Sequence, residues 1–173
     1  MVSADDPSFK LREQLRRSDR EAVRKLVAET GMFDGEEVDV AVELVDAYLE
    51  RGVESGYRFI IAEQQRKVMG YVCYGPVPGS DRRFEVYWIA VAKATQGTGL
   101  GRKLMAETEA RILALGGCRV YAETASRPQY LPTRRFYVAV GYKKLGSLPH
   151  YYRKGDGKIT YVKELNPGKK RRR

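Results

Sequence analysis

This chain offers little material for metal or covalent chemistry. Its 173 residues include two cysteines, Cys73 and Cys118, and a single histidine, His150. The cysteines stand in no metal-ligand spacing and there is no second histidine, so a zinc site is not expected. One histidine also makes a Ser-His-Asp triad a poor candidate. No apolar run approaches the ~20 residues needed to cross a bilayer. The start, Met1-Val2-Ser3-Ala4-Asp5-Asp6, has neither the basic n-region nor the apolar h-region of a secretory signal. These absences point to a reduced, cytoplasmic protein with no membrane contact and both thiols free.

What is present in quantity is positive charge and tyrosine. The net charge is +10, and Lys169, Lys170, Arg171, Arg172 and Arg173 supply five of those charges without an intervening acid. The tail follows Asn166-Pro167-Gly168, a break that ends regular structure. Residues 166–173 therefore read as a basic, unstructured tail, with an RNA-contacting or targeting arm as the alternative. The remaining positive excess suits a polyanionic small molecule at least as well as nucleic acid. Twelve tyrosines and an ordinary apolar fraction suit one folded domain over residues 1–165, long enough to bury a sizeable core.

Phe9 to Leu15 is a candidate first strand. Ser18 and Glu21 form an S-x-x-E capping pattern opening a helix to about Thr30, which Gly31 ends. Asp34-x-x-Glu37 repeats that pattern for a second helix with Gly52 as its stop. Tyr57 to Ala62 and Val68 to Tyr74 read as paired strands around a turn at 64–67, and a central strand runs from about Phe84 to Ala92. Leu100, Leu104, Thr108, Ile112 and Leu115 form one stripe of the next helix, which Gly116-Gly117 ends. Arg119 to Thr124 is a strand, Leu131 to Val140 a short helix, and Ile159 to Leu165 a last strand. The order ααβββαβαββ, with a possible strand ahead of it, is a mixed α/β arrangement. If the strands of Cys73 and Cys118 flank the central one, about two spacings of ~4.8 Å separate them, too far for a disulfide.

The most informative stretch joins the central strand to the following helix: Tyr87-Trp88-Ile89-Ala90-Val91-Ala92-Lys93-Ala94-Thr95-Gln96-Gly97-Thr98-Gly99-Leu100-Gly101-Arg102-Lys103-Leu104. A strand feeding a helix through glycines leaves backbone N–H groups aimed beyond the strand end, and three glycines let an anion approach closely. A Walker A loop fails here because Arg102, Lys103 and Leu104 follow Gly101, with no Ser or Thr for magnesium. A dinucleotide fingerprint counted from Gly97 fails because its third glycine would fall at Arg102. Gln96-x-x-Gly99-x-Gly101 matches the Q/R-x-x-G-x-G/A signature of the GNAT superfamily of N-acetyltransferases, which this chain resembles from Phe9 to Leu165. The resemblance implies a GNAT-like α/β fold: a mixed, mostly antiparallel central sheet flanked by helices, with a splayed central strand pair for the coenzyme.

By that resemblance the cosubstrate is acetyl-CoA, with no metal. Gln96, Gly97, Thr98, Gly99, Leu100 and Gly101 would cradle its pyrophosphate, with charge from Arg102 and Lys103. Backbone groups of Ile89, Ala90 and Val91 would bind the pantetheine arm, and the Val91 amide would hold the thioester oxygen. Arg134 and Arg135 are candidates for the 3′-phosphate. Glu85 stands where several GNAT enzymes carry their catalytic glutamate. Strand alternation puts it on one face with Tyr87, Ile89 and Val91, where partial desolvation would raise its proton affinity and make it a general base. The alternative is a strand-edge glutamate paired with Arg82 or Arg83. Phe136-Tyr137-x-x-x-Gly141-Tyr142 matches the family's F-Y-x-x-x-G-F/Y segment, which makes Tyr137 the general acid, or else a core tyrosine packing its helix. Tyr142 reads as packing. Many GNAT proteins place an Asn seven residues before the motif tyrosine; Tyr130 stands there. His150, Tyr151 and Tyr152 fall in a loop after the sixth strand and could border the acceptor.

The function expected is an acyltransferase moving acetyl from acetyl-CoA to a primary amine by direct attack in a ternary complex. Two alternatives stay open: a non-catalytic acetyl-CoA sensor, and a nucleic-acid-associated protein acting through its tail. The family also allows a homodimer through the last strands. The acceptor, small molecule or protein, is not legible.

Overall fold

The computed structural model describes residues 9–166; the basic run Lys169–Arg173 lies outside them. The elements follow as β1 (Lys10–Arg12), α1 (Asp19–Glu29), α2 (Gly35–Arg51), β2 (Arg58–Gln64), β3 (Lys67–Pro76), β4 (Arg83–Val91), α3 (Leu100–Ala114), β5 (Arg119–Ala125), α4 (Leu131–Ala139), β6 (Lys143–Arg153) and β7 (Asp156–Glu164). The α/β class is the one expected, as a seven-stranded mixed, mostly antiparallel sheet with four α-helices. Strand order is β1-β2-β3-β4-β5-β7-β6, so the last two strands exchange places relative to the chain. The β4–β5 pair is parallel, while β1–β2, β5–β7 and β6–β7 are antiparallel.

Local chemistry accounts for many element ends. The Asp34 carboxylate accepts from the Glu37 amide at 2.9 Å and the Glu37 carboxylate accepts from the Asp34 amide at 2.8 Å, closing the expected box at the start of α2. The turn between β2 and β3 places Gln65 and Arg66 at φ 49° and 64°, the paired left-handed conformation of a tight hairpin. The box expected at Ser18 does not form: Ser18 is itself helical and makes no side-chain cap bond. Asp19 takes over, accepting from the Arg16 amide at 2.6 Å.

Among the described residues the packing divides into two compact units, one of residues 9–73 with Trp88–Leu104, the other of Tyr74–Tyr87 with residues 105–166. In the first, Val23, Leu26 and Val27 of α1 and Val38, Val42 and Val45 of α2 are buried, as are Phe59 to Ala62 of β2. Beside this core sits a sheltered charge cluster. Arg12 forks onto Asp19 at 2.6 and 2.7 Å and reaches Glu63 at 2.8 Å, binding β1 to α1 and β2; Arg16 adds a 2.9 Å contact to Glu63.

In the second unit, Phe84, Val86, Val120, Ala122, Tyr137, Tyr142 and Tyr161 are buried. Two expectations are corrected here. Leu115 is 46% exposed because α3 ends at Ala114, before the apolar stripe would reach it. His150, Tyr151 and Tyr152 belong to β6 rather than to a loop, because the β6–β7 hairpin runs out to the Arg153–Asp156 pair. Cys73 and Cys118 are both free thiols. Among the described residues no helix is long and apolar enough to cross a membrane, and no group of metal-ligating side chains occurs.

The charge cluster gives a stability test. Arg12→Ala leaves two buried carboxylates without their shared guanidinium and is expected to lower unfolding stability by about 3–5 kcal/mol. Arg16, 54% exposed in its side chain, is expected to cost under about 1 kcal/mol when changed to alanine. Urea unfolding of both variants checks this; equal, small losses would contradict it.

Candidate active site

The glycine loop lies in the first unit. After β4 a short 3-10 turn, Lys93–Thr95, reverses the chain, held by the Thr95 hydroxyl on the Ala92 carbonyl at 3.0 Å and by the Ala92 amide on the Met69 carbonyl at 2.8 Å. Gly97 and Gly99 then adopt φ 78° and 88°, a conformation that side-chain-bearing residues resist. A Cβ at either would meet nothing within 4 Å, so the loop's outer side is open. The first helical bond runs from the Lys103 amide to the Gly99 carbonyl at 3.0 Å, which leaves the amides of Leu100 and Gly101 ahead of the α3 ladder, at its positive end. Gln96 points back, its amide donating to the Val91 carbonyl at 3.3 Å. Arg102 and Lys103 are exposed beside the loop, whereas Leu100 is 2% exposed and anchors it.

What lets α3 begin so close to the sheet is Gly70 of β3, a residue the sequence reading passed over. A Cβ there would lie 3.2 Å from the Ala90 carbonyl oxygen and 3.2 Å from methyl groups of both Leu100 and Leu104. Ala90 is 6% exposed, while Ile89 and Val91 are half-buried. Among aromatic neighbours, Trp88 packs against Phe33 with ring centroids 4.9 Å apart.

Glu85 and Tyr137 lie in the second unit. Glu85 is half-buried. Desolvation raises its carboxyl above the ordinary value of 4.5, the Glu123 carboxylate raises it further, and Lys158 partly opposes them. No ion pair to Arg82 or Arg83 accounts for it; those guanidiniums donate to the carbonyls of Gly116 and Asp81, both at 2.6 Å. Tyr137 is 3% exposed, stacked on Tyr161 with centroids 5.7 Å apart and tilted against Tyr142 at 5.7 Å. Burial raises its phenol well above 10, so it stays protonated through the physiological range.

The register fixes which way each faces. Glu85 pairs with Tyr121, and Tyr121 with Val162; Val86 pairs with Ala122, and Ala122 with Tyr161. Paired residues on adjacent strands share a face, so Glu85 stands on one face of this sheet region and Tyr137, stacked on Tyr161, on the other. The parallel ladder runs only from Arg83–Arg119 to Val86–Ala122 and does not extend to Tyr87 and Glu123.

Other candidates find structural partners. Arg134 donates to the carbonyls of Ala125 and Arg127, both at 3.0 Å, and so braces the loop before α4; Arg135 is exposed. Tyr130, 5% exposed, lies under the Arg127 guanidinium at 5.3 Å. Tyr142 is buried at 2% exposure, its phenol held well above 10 by desolvation and the nearby Glu109 carboxylate, which is packing as expected.

A family model described as the acetyltransferase (GNAT) family matches residues 20–142. The chain belongs to that family. A crystal structure of a GNAT-family protein from Desulfovibrio desulfuricans is 43% identical and superposes with a TM-score of 0.88, covering 91% of this chain and 99% of that one. An uncharacterized N-acetyltransferase of Methanocaldococcus jannaschii is 29% identical over 106 residues, 61% of this chain; the matched chain spans only 65% of that relative. An aminoglycoside 6′-N-acetyltransferase solved with coenzyme A shares the fold at TM-score 0.71 and 17% identity, covering 92% of this chain and 98% of that one.

Members of this family use acetyl-CoA. The loop here fits a pyrophosphate on its own geometry: two positive-φ glycines open outward, and helix amides lie ahead of the ladder with two cations alongside. In this GNAT chain Gly70 is the packing residue on which that geometry depends. Gly70→Val is expected to push α3 off the sheet and weaken coenzyme A binding at least about tenfold, with a stability loss of about 1–3 kcal/mol. Calorimetry on the folded variant checks this; unchanged affinity would contradict it.

Proposed function

We propose that this protein transfers an acetyl group from acetyl-CoA to a primary amine by direct attack in a ternary complex. The observation that carries the reading is the turn after β4, where two positive-φ glycines open outward and amides lie ahead of the α3 ladder, a fit for the pyrophosphate of acetyl-CoA. In this reading acetyl-CoA supplies the acetyl group as an activated thioester. Gln96 to Lys103 hold its pyrophosphate, and main-chain groups of Ile89, Ala90 and Val91 its pantetheine arm. Glu85 removes a proton from the incoming ammonium, directly or through water, so that a neutral nitrogen attacks. The new C–N bond forms as the C–S bond breaks, and the Tyr137 hydroxyl donates its proton to the departing sulfur. Standing on opposite sheet faces, the two groups do not exchange protons with each other.

Glu85 must be ionised to act, so activity is expected to fall on acidification through a midpoint above 4.5. Glu85→Gln is expected to cut turnover at neutral pH by roughly 10²-fold or more, partly recovered at high pH where the amine deprotonates unaided. Stability should move the other way. The folded state binds the Glu85 proton more tightly than the unfolded state does, so the favourable contribution is lost as pH rises through the folded value. The Glu85→Gln protein should therefore melt higher than wild type at pH 7, and this advantage should shrink near pH 4. Thiol release from acetyl-CoA across a panel of amines, with thermal melts at both pH values, checks both signs. Wild-type turnover in Glu85→Gln would remove the base role. Tyr137→Phe is expected to slow chemistry with coenzyme affinity nearly unchanged; wild-type turnover would reassign it to packing.

A further inference from the structure

The face of the second unit that carries Glu85 also carries an ion pair with no place in the mechanism above. Counting along the registers, Glu123 lies two residues beyond Tyr121 on β5, on the same face as Glu85 and just past the last pair of the parallel ladder. Thr160 of β7 pairs with Glu123, and Lys158, two residues before it, pairs with Ala125 on the same face. The Lys158 ammonium sits 3.0 Å from the Glu123 carboxylate. Their side chains are 17% and 33% exposed, so water screens the pair only partly. On β6 the Tyr151 ring lies under the same ammonium at 4.4 Å, with Tyr152 edge-on at 5.0 Å.

The other ionisable groups around this face are turned to partners of their own. Arg83 donates to the Asp81 carbonyl at 2.6 Å. Arg119 is bound to Glu164 and donates to the Tyr121 hydroxyl at 3.4 Å. Tyr87 donates to the Pro76 carbonyl at 3.4 Å. The chain from Gly75 to Ser80 carries no ionisable side chain. Tyr152 is held protonated by burial and by Glu123. Two opposite charges of fixed position, on two strands, thus stand beside Glu85.

We propose that the Glu123–Lys158 ion pair is a positioning element for Glu85, setting its proton affinity and through it the pH at which the enzyme becomes active. Glu123 opposes ionisation of Glu85; Lys158 favours it and, by binding Glu123, limits how strongly that carboxylate acts. Neither touches the reacting atoms. The functional meaning rests on Glu85 being the base, but the electrostatic effect does not.

The test uses the full chain with 13C-labelled glutamate. The Glu85 carboxyl signal, assigned by its loss in Glu85→Gln, is titrated in wild type, Glu123→Gln, Lys158→Met and the double variant, beside the pH dependence of kcat/KM. The Glu85 midpoint is expected to fall in Glu123→Gln and rise in Lys158→Met, each by roughly half to one pH unit, and to return near wild type in the double variant. The acidic limb of kcat/KM should follow in the same directions. Unchanged midpoints, or shifts of the same sign in both single variants, would overturn the proposal, because a merely structural role gives no opposed signs. Opposed shifts of the Glu85 signal with an unmoved acidic limb would uphold the pair's effect and instead overturn Glu85 as base.

Discussion

The structure depends on one short parallel ladder, the four pairs from Arg83–Arg119 to Val86–Ala122. Parallel strands cannot be joined by a hairpin, so the chain between them must make a crossover, here through α3. That requirement brings a helix start directly after a strand end, and it is there that the glycine loop lies. The same ladder places Glu85 next to β5 and leaves Tyr87 and Glu123 beyond its end. β4 therefore serves twice: its first half fixes an ionisable group on a strand, and its last residues lead into the glycine turn.

Burial acts in the same direction on the two candidate catalytic groups, favouring the protonated form of each. A desolvated carboxyl holds a proton more tightly than one in water and is the stronger base for it; a desolvated phenol likewise holds its proton more tightly. The same effect acts on Glu85 and Tyr137 on opposite faces of this sheet region, strengthening one as a candidate proton acceptor and keeping the other protonated. The carboxylate's environment is also shaped by discrete charges, because Glu123 and Lys158 act on Glu85 in opposing directions.

Much of this was legible in the sequence where the cause is local. The Asp34–Glu37 box, the tight turn at Gln65–Arg66 and the glycine loop all follow from side chains within a few residues of each other. Ser18 misled because Asp19 is captured by Arg12 and Arg16, contacts that local pattern does not encode. The length of β6 was hidden for a related reason: Lys143–Arg153 contains Gly146 and Pro149, is exposed throughout, and is a strand because β7 pairs with it. Gly70 gave no signal, since its use is the approach of Ala90, Leu100 and Leu104 to one backbone position. Glu85 could be picked out by its place on the central strand, but Glu123 and Lys158 become its neighbours only through the registers of two later strands.

The central claim is that the turn after β4 is built to bind acetyl-CoA. Calorimetric titration with acetyl-CoA at physiological salt, on protein freed of co-purified coenzyme, tests it most directly. Binding at one site per chain with a micromolar or tighter dissociation constant, roughly −8 kcal/mol, is the expected result. No heat of binding up to millimolar acetyl-CoA would contradict the assignment of the loop and the acetyl-transfer reading built on it.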